Sequence, residues 1–68
     1  MKKKYYVGWI ASTIGELAPF VYSTNKTNVE YAISGWKNHE TKVTHVSERG
    51  LLQLALRPDV QVRGLKNV

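Results

Sequence analysis

The sequence predicts a small α+β domain: a three- to four-stranded, mostly antiparallel sheet with two helices packed on one face, in the order β-β-α-β-α-(β). Three observations carry this. Runs rich in β-branched and aromatic residues recur at Tyr5–Ala11, Phe20–Tyr22 and Thr41–Val46. Between and after them lie two stretches whose apolar residues fall at helical spacing behind capping residues. The whole chain is 68 residues long, which holds one hydrophobic core and therefore one domain.

Each element has its own local warrant. From Tyr5 to Ala11 the chain places Tyr5, Val7, Trp9 and Ala11 on one face of a strand and Tyr6, Gly8 and Ile10 on the other, so neither face is polar. Residues 12–19, with Gly15 and Pro19, read as a connector in which Ile14 and Leu17 either tuck under it or form one helical turn. Only eight residues separate the first two strands, fewer than a parallel crossover needs, so they should form an antiparallel hairpin with a long loop. Thr27 and Glu30 have capping-box spacing, and Val29, Ala32, Ile33 and Trp36 make one apolar stripe, which predicts a helix over 28–36. Gly35 weakens its last turn.

After the polar linker 37–40, Thr41–Val46 reads as a third strand. Ser47 is the expected N-cap of a second helix over 48–57, with Val46 and Leu51 as its hydrophobic staple and Pro58 as its stop. The alternation Val60-Gln61-Val62-Arg63 predicts a fourth, edge strand before a frayed end at 64–68. The core expected from these patterns is Val7, Trp9, Val21, Val29, Ile33, Trp36, Val43, Leu52, Leu54 and Leu56.

The order of elements over residues 4–57 resembles in topology the small N-terminal hybrid-binding domain of eukaryotic-type ribonucleases H. The pieces that carry the resemblance are Tyr5-Tyr6-Val7, Phe20-Val21-Tyr22-Ser23-Thr24, the 28–36 helix, Thr41–Val46 and the 48–57 helix. This chain opens its first helix with Asn25-Lys26-Thr27-Asn28 and carries its Trp at the end, Trp36, where that family has a Trp and an acidic residue near the start. Of the duplex contacts the resemblance implies, only Lys26 stands at a matching place.

For chemistry the sequence argues mostly by exclusion. Cys is absent, so there is no disulfide staple and a cytoplasmic setting fits. The lysines before the seven-residue run Tyr5–Ala11 have the charge step of a signal peptide, but that run is at the lower limit of an h-region. It is also far short of the ~20 residues of a membrane span, so no membrane association is expected. The five carboxylates form no close pair, there is no GxGxxG or P-loop, and no nucleophile–base–orienter set can be assembled. His39, Glu40 and His45 lack the helical spacing of a zinc-binding pair and read as surface residues. No enzyme, no catalytic residue, no metal and no cofactor are therefore expected.

What remains is charge and aromatics. Ten Lys+Arg against five Asp+Glu give +5, a balance that draws phosphate. Three of those charges, Lys2, Lys3 and Lys4, belong to a basic N-terminal tail spanning 1–4, so the body carries +5 minus 3, or +2. A solvated tail and core-packing aromatics are the bland account of these features. The functional expectation is a non-enzymatic, low-specificity nucleic-acid-binding accessory protein acting through Lys2, Lys3, Lys4, Tyr5, Tyr6, Lys26 and Lys42. The alternative is a protein-interaction or inhibitor module of phage or mobile-element type. It would work through an exposed sheet face or the edge strand, with Tyr6, Ile10, Val60 and Val62 at the interface and self-association into a homodimer among its forms.

Overall fold

The computed structural model describes residues 4–11 and 15–68. Its order is β1 (Lys4–Ala11), β2 (Leu17–Ser23), α1 (Lys26–Ile33), β3 (Thr41–Ser47), α2 (Glu48–Ala55), α3 (Pro58–Arg63) and β4 (Lys66–Asn67). This is the expected α+β domain with a mostly antiparallel sheet. The strands lie in the order β3-β1-β2-β4. β1 is antiparallel to both neighbours, and the two-residue β4 runs parallel to β2.

β1 is central because β2 and β3 run in the same direction and α1 carries the chain between them, over β1, to its free side. The β1–β3 register is unbroken from Lys4↔Ser47 to Ile10↔Thr41. On the other side the register with β2 shifts between Gly8 and Trp9. Phe20 is the extra residue there, and Pro19, which has no N–H for the ladder, sits beside it opposite Trp9. That bulge lets β2 start at Leu17, inside the stretch the sequence reads as connector. Ile14, expected to tuck under that connector or join a helical turn, lies outside the described residues.

Both faces of β1 are covered by the chain itself. α1 seats on the face of Tyr6, Gly8 and Ile10, where Ile10, Val21, Val29 and Ile33 form a buried cluster with Tyr6, Phe20, Ala32 and Val43 packed around it. Contact is closest at Gly8: a Cβ there would stand 2.8 Å from Ile33 Cγ2 and 2.9 Å from Val29 Cγ1. The opposite face carries Tyr5, Val7 and Trp9 and is covered by α2 and α3. Val7 is fully buried there, and the Arg57 guanidinium between those two helices stands 6.0 Å from the Trp9 ring. The pair of helices sharing one face is thus α2 and α3, with α1 on the other side rather than beside α2. Bulky residues on both sides of a central strand demand this, since a single helical layer would leave half of them in water.

Several local expectations are corrected. Residues 60–63 belong to a helix, α3, with Pro58 in its first turn and Gly64 closing it at φ 89°. Val60 is buried while Val62 is 91% exposed, so the two do not share a face as strand alternation requires. α1 begins two residues early, capped by Asn25, whose Oδ1 accepts from the Thr27 N–H at 2.9 Å, instead of by a Thr27–Glu30 box. It ends before Trp36, which lies outside the core, 37% exposed and edge-on to Phe20 at 5.2 Å. In α2 the buried leucine is Leu51; Leu52 and Leu56 are exposed and Leu54 is half-buried. Leucines surround that helix, and only the position of the sheet decides which one points inward. Trp9 and Val43 are half-buried. The Ser47 cap is as expected, its hydroxyl accepting from the Gly50 N–H at 3.2 Å.

Candidate nucleic-acid interface

The cations proposed from sequence divide between the two ends of the sheet. Tyr6 is in register with Ser23 on one side and His45 on the other. The start of β1, the turn into α1 and the end of β3 therefore share one end. Lys4 is exposed there at the first position of β1, and Lys26 is exposed at the first position of α1. The turn holding Lys26 is fixed by two side chains in series. Ser23 is buried and its hydroxyl accepts from the Asn25 N–H at 3.0 Å, and Asn25 in turn caps the helix.

No acidic residue occupies the first turn of α1. The amide end of its dipole and the Lys26 ammonium therefore add rather than cancel, leaving a positive locus at the sheet end. Arg49, exposed in the first turn of α2, adds a cation at this end that the sequence reading passed over, while Glu48 beside it supplies one opposing charge. The signal for Arg49 was only its place in the turn after the Ser47 cap.

Lys42 does not join this group. It pairs with Trp9, five residues along β3 from the Ser47 that pairs with Lys4, or about 17 Å at strand rise. Its neighbourhood is Trp9, whose indole N–H donates to the Thr44 hydroxyl at 2.8 Å, and Arg57, whose guanidinium is held by Asp59 at 3.2 Å. That is the one ion pair among the described residues. Among the described residues, no carboxylate lies within salt-bridge reach of Lys4, Lys26, Lys42 or Arg49. Lys2 and Lys3 lie outside the described residues.

Tyr5 and Tyr6 do not form a stacking platform. Alternation sends them to opposite faces, where both are half-buried: Tyr5 meets the Tyr22 ring edge-on at 6.2 Å, and Tyr6 packs against the cluster under α1. The interface residues of the alternative reading also separate. Ile10 and Val60 are core, Tyr6 is half-buried, and Val62 alone is freely exposed.

His39 Nδ1 lies 3.3 Å from the Ala11 carbonyl at the far end of β1, whereas His45 stands opposite Tyr6. Among the described residues no group of three His, Cys, Asp or Glu side chains is placed to hold a metal ion. No helix among them is long and apolar enough to cross a membrane. No protein-family model, no curated protein and no solved structure matches the chain.

Proposed function

We propose that this chain is a non-enzymatic module that binds nucleic acid with little base specificity, through phosphate contacts at the sheet end built by Lys4, Lys26 and the start of α1. The observation that carries the reading is the unpaired state of these lysines beside a helix N-terminus without an acidic residue. Exposed ammonium groups that no carboxylate neutralises release counterions when they meet a polyphosphate, and this contribution reads no sequence. Lys2 and Lys3 precede Lys4 directly and extend the same charge. Because both tyrosines are packed into the fold, the reading rests on backbone contacts rather than base stacking.

Fluorescence anisotropy with labelled single strands, duplexes and RNA–DNA hybrids tests it at about 50 mM salt, where counterion release favours binding strongly. Binding should weaken in the double variant Lys4→Glu/Lys26→Glu and persist in Lys42→Glu, which changes the far end. Absence of binding to all three probes would remove the proposal.

A protein-interaction module is the second reading, favoured by one observation: Leu52 on α2 and Leu56 at its C-cap, 62% and 69% exposed, stand one turn apart. Leu52→Ser/Leu56→Ser would weaken a protein partner's binding and leave a phosphate contact at Lys4 and Lys26 unchanged.

A further inference from the structure

We propose that β3 is a dimerisation edge, at which a second copy of this chain adds its own β3 antiparallel across a two-fold axis to give one continuous eight-stranded sheet. The proposal goes beyond the nucleic-acid reading and does not depend on it.

The edge itself is unusual for a domain this small. β3 is seven residues long, unbulged against β1 and free of proline, and it is the outermost strand. Native proteins commonly shorten, bend or cover such a strand. The opposite side of the sheet is treated in that way: β4 covers Val21 and Tyr22, and Arg63 donates to the Pro19 carbonyl.

Which groups β3 offers follows from one hydrogen bond. The Ala11 N–H donates to the Glu40 carbonyl at 2.8 Å, so the alternate residues 11, 9, 7 and 5 turn their backbone groups toward β3, and their partners Lys42, Thr44 and Val46 answer them. Thr41, Val43 and His45 consequently point both N–H and C=O away from β1, and Ser47 adds its N–H, its C=O being the first acceptor of α2. These four residues are spaced symmetrically about Thr44.

The spacing of these groups and the place of Lys42 suit a second copy as the occupant. With Thr44 opposite Thr44 of the second copy, Val43 meets its His45 and Thr41 meets its Ser47, and every outward group finds its counterpart except the Thr41 N–H, because the Ser47 C=O belongs to α2. A register centred on His45 pairs fewer of these groups, and one centred on Val43 pairs as many but sets each Lys42 diagonally across from the second copy's Lys42. The register centred on Thr44 separates the strand's only charge from its like. Lys42 stands opposite the second copy's Val46, four residues from the second copy's Lys42, or about 14 Å along the strand. Directly opposed like charges would oppose pairing.

The helical layer is compatible with this. α2 rests on both β3 and β1, so its axis is set inboard of the edge. An axis over the β3–β1 boundary is half a strand spacing inside, and the two-fold then puts two α2 axes about 10 Å apart, the upper end of ordinary helix packing. Gly50, seated against Val46, keeps the start of α2 slim where that approach is made.

The test uses the intact chain. Sedimentation or light scattering across a concentration series should show the 7.7 kDa species giving way to one of twice that mass. Amide exchange followed by NMR should then show slowed exchange at Val43, His45 and Ser47 in the dimer, with that protection lost on dilution, while Thr41 exchanges as in the monomer and Lys42, Thr44 and Val46 stay protected throughout. His45→Pro removes one outward N–H at an exposed edge position without touching the β1 ladder, and should return the protein to monomer. A monomer whose outward amides exchange freely at high concentration would overturn the proposal and leave the edge to a different chain. So would a dimer in which the Val43, His45 and Ser47 amides exchange as in the monomer. Should His45→Pro fail to fold, the exchange pattern of the unaltered protein still decides.

Discussion

Gly8→Ala is the sharpest probe of how α1 sits on the sheet. Gly8 has no positive φ, so the backbone accepts alanine and only space opposes it. The new methyl would stand 2.8 Å from Ile33 Cγ2, 2.9 Å from Val29 Cγ1 and 3.0 Å from Val21 Cγ2. Carbon atoms rest at about 3.5–4.0 Å, so each contact is short by at least about 0.5 Å. All three neighbours are β-branched, and the two on α1, Val29 and Ile33, have one strongly preferred rotamer in a helix, so α1 must move off β1 as a body. Overpacking of this kind costs about 1–3 kcal/mol. Reduced freedom of the unfolded chain returns about 0.4–1 kcal/mol. The net loss expected is about 1–2 kcal/mol, which lowers Tm by roughly 4–16 °C in a domain of this size.

Thermal melts by circular dichroism and urea melts by tryptophan fluorescence would measure it, with Gly35→Ala as the control. Gly35 has nothing within 4 Å of its would-be Cβ and no positive φ, so that change should be neutral or slightly stabilising. A double-mutant cycle with Ile33→Ala sharpens the test. Removing Cγ2 makes room for the new methyl, so the pair should be less destabilised than the sum of the singles by at least about 0.5 kcal/mol. If Gly8→Ala melted with the parent protein, or the cycle showed no coupling, α1 would not be seated at Gly8 and the account of that face would be wrong.

Further consequences can be measured in the same way. Val60→Ala should cost about 2 kcal/mol, because Val60 is 2% exposed, whereas Val62→Ala at 91% exposure should stay within about 0.5 kcal/mol; equal effects in urea melts would restore the edge-strand reading of 60–63. Asn25→Ala and Ser47→Ala should each cost about 1 kcal/mol by removing a cap hydrogen bond, while Thr27→Ala should be nearly silent. A Thr27 effect as large as that of Asn25 would move the start of α1 back to the capping box. If Lys2, Lys3, Lys4 and Lys26 each neutralise one duplex phosphate, log K should fall with log[salt] at a slope of about −3.6, roughly 150-fold between 50 and 200 mM; a flat salt titration would exclude phosphate contacts as the source of affinity.

The amino-acid sequence by itself determined the class and most of the elements. β1 was legible because Tyr5–Ala11 is aromatic and β-branched throughout, and β3 because Thr41–Val46 is β-branched between polar flanks. α2 was legible because Ser47 carries a local cap whose partner, Gly50, is three residues away. Such features need no knowledge of the rest of the chain. The lysines of the candidate interface were legible only as a composition, since charge in a sequence has no place until strands are in register.

Tertiary structure alone decided the remainder. Val-Gln-Val-Arg reads as a strand by period, but Val60 finds the face beneath α2 and α3, and Pro58 and Gly64 bound a turn of helix too short for its own periodicity to show. Leu51, Leu52, Leu54 and Leu56 are interchangeable until a sheet lies under one of them. The two-faced strand at Tyr5–Ala11 called for cover on both sides, and the chain supplies it with α1 on one face and α2 with α3 on the other. Packing assigned those faces through the crossover of α1 over β1, a contact between segments far apart in sequence that no local pattern encodes. That same crossover leaves β3, and not the C-terminal segment, as the long open edge.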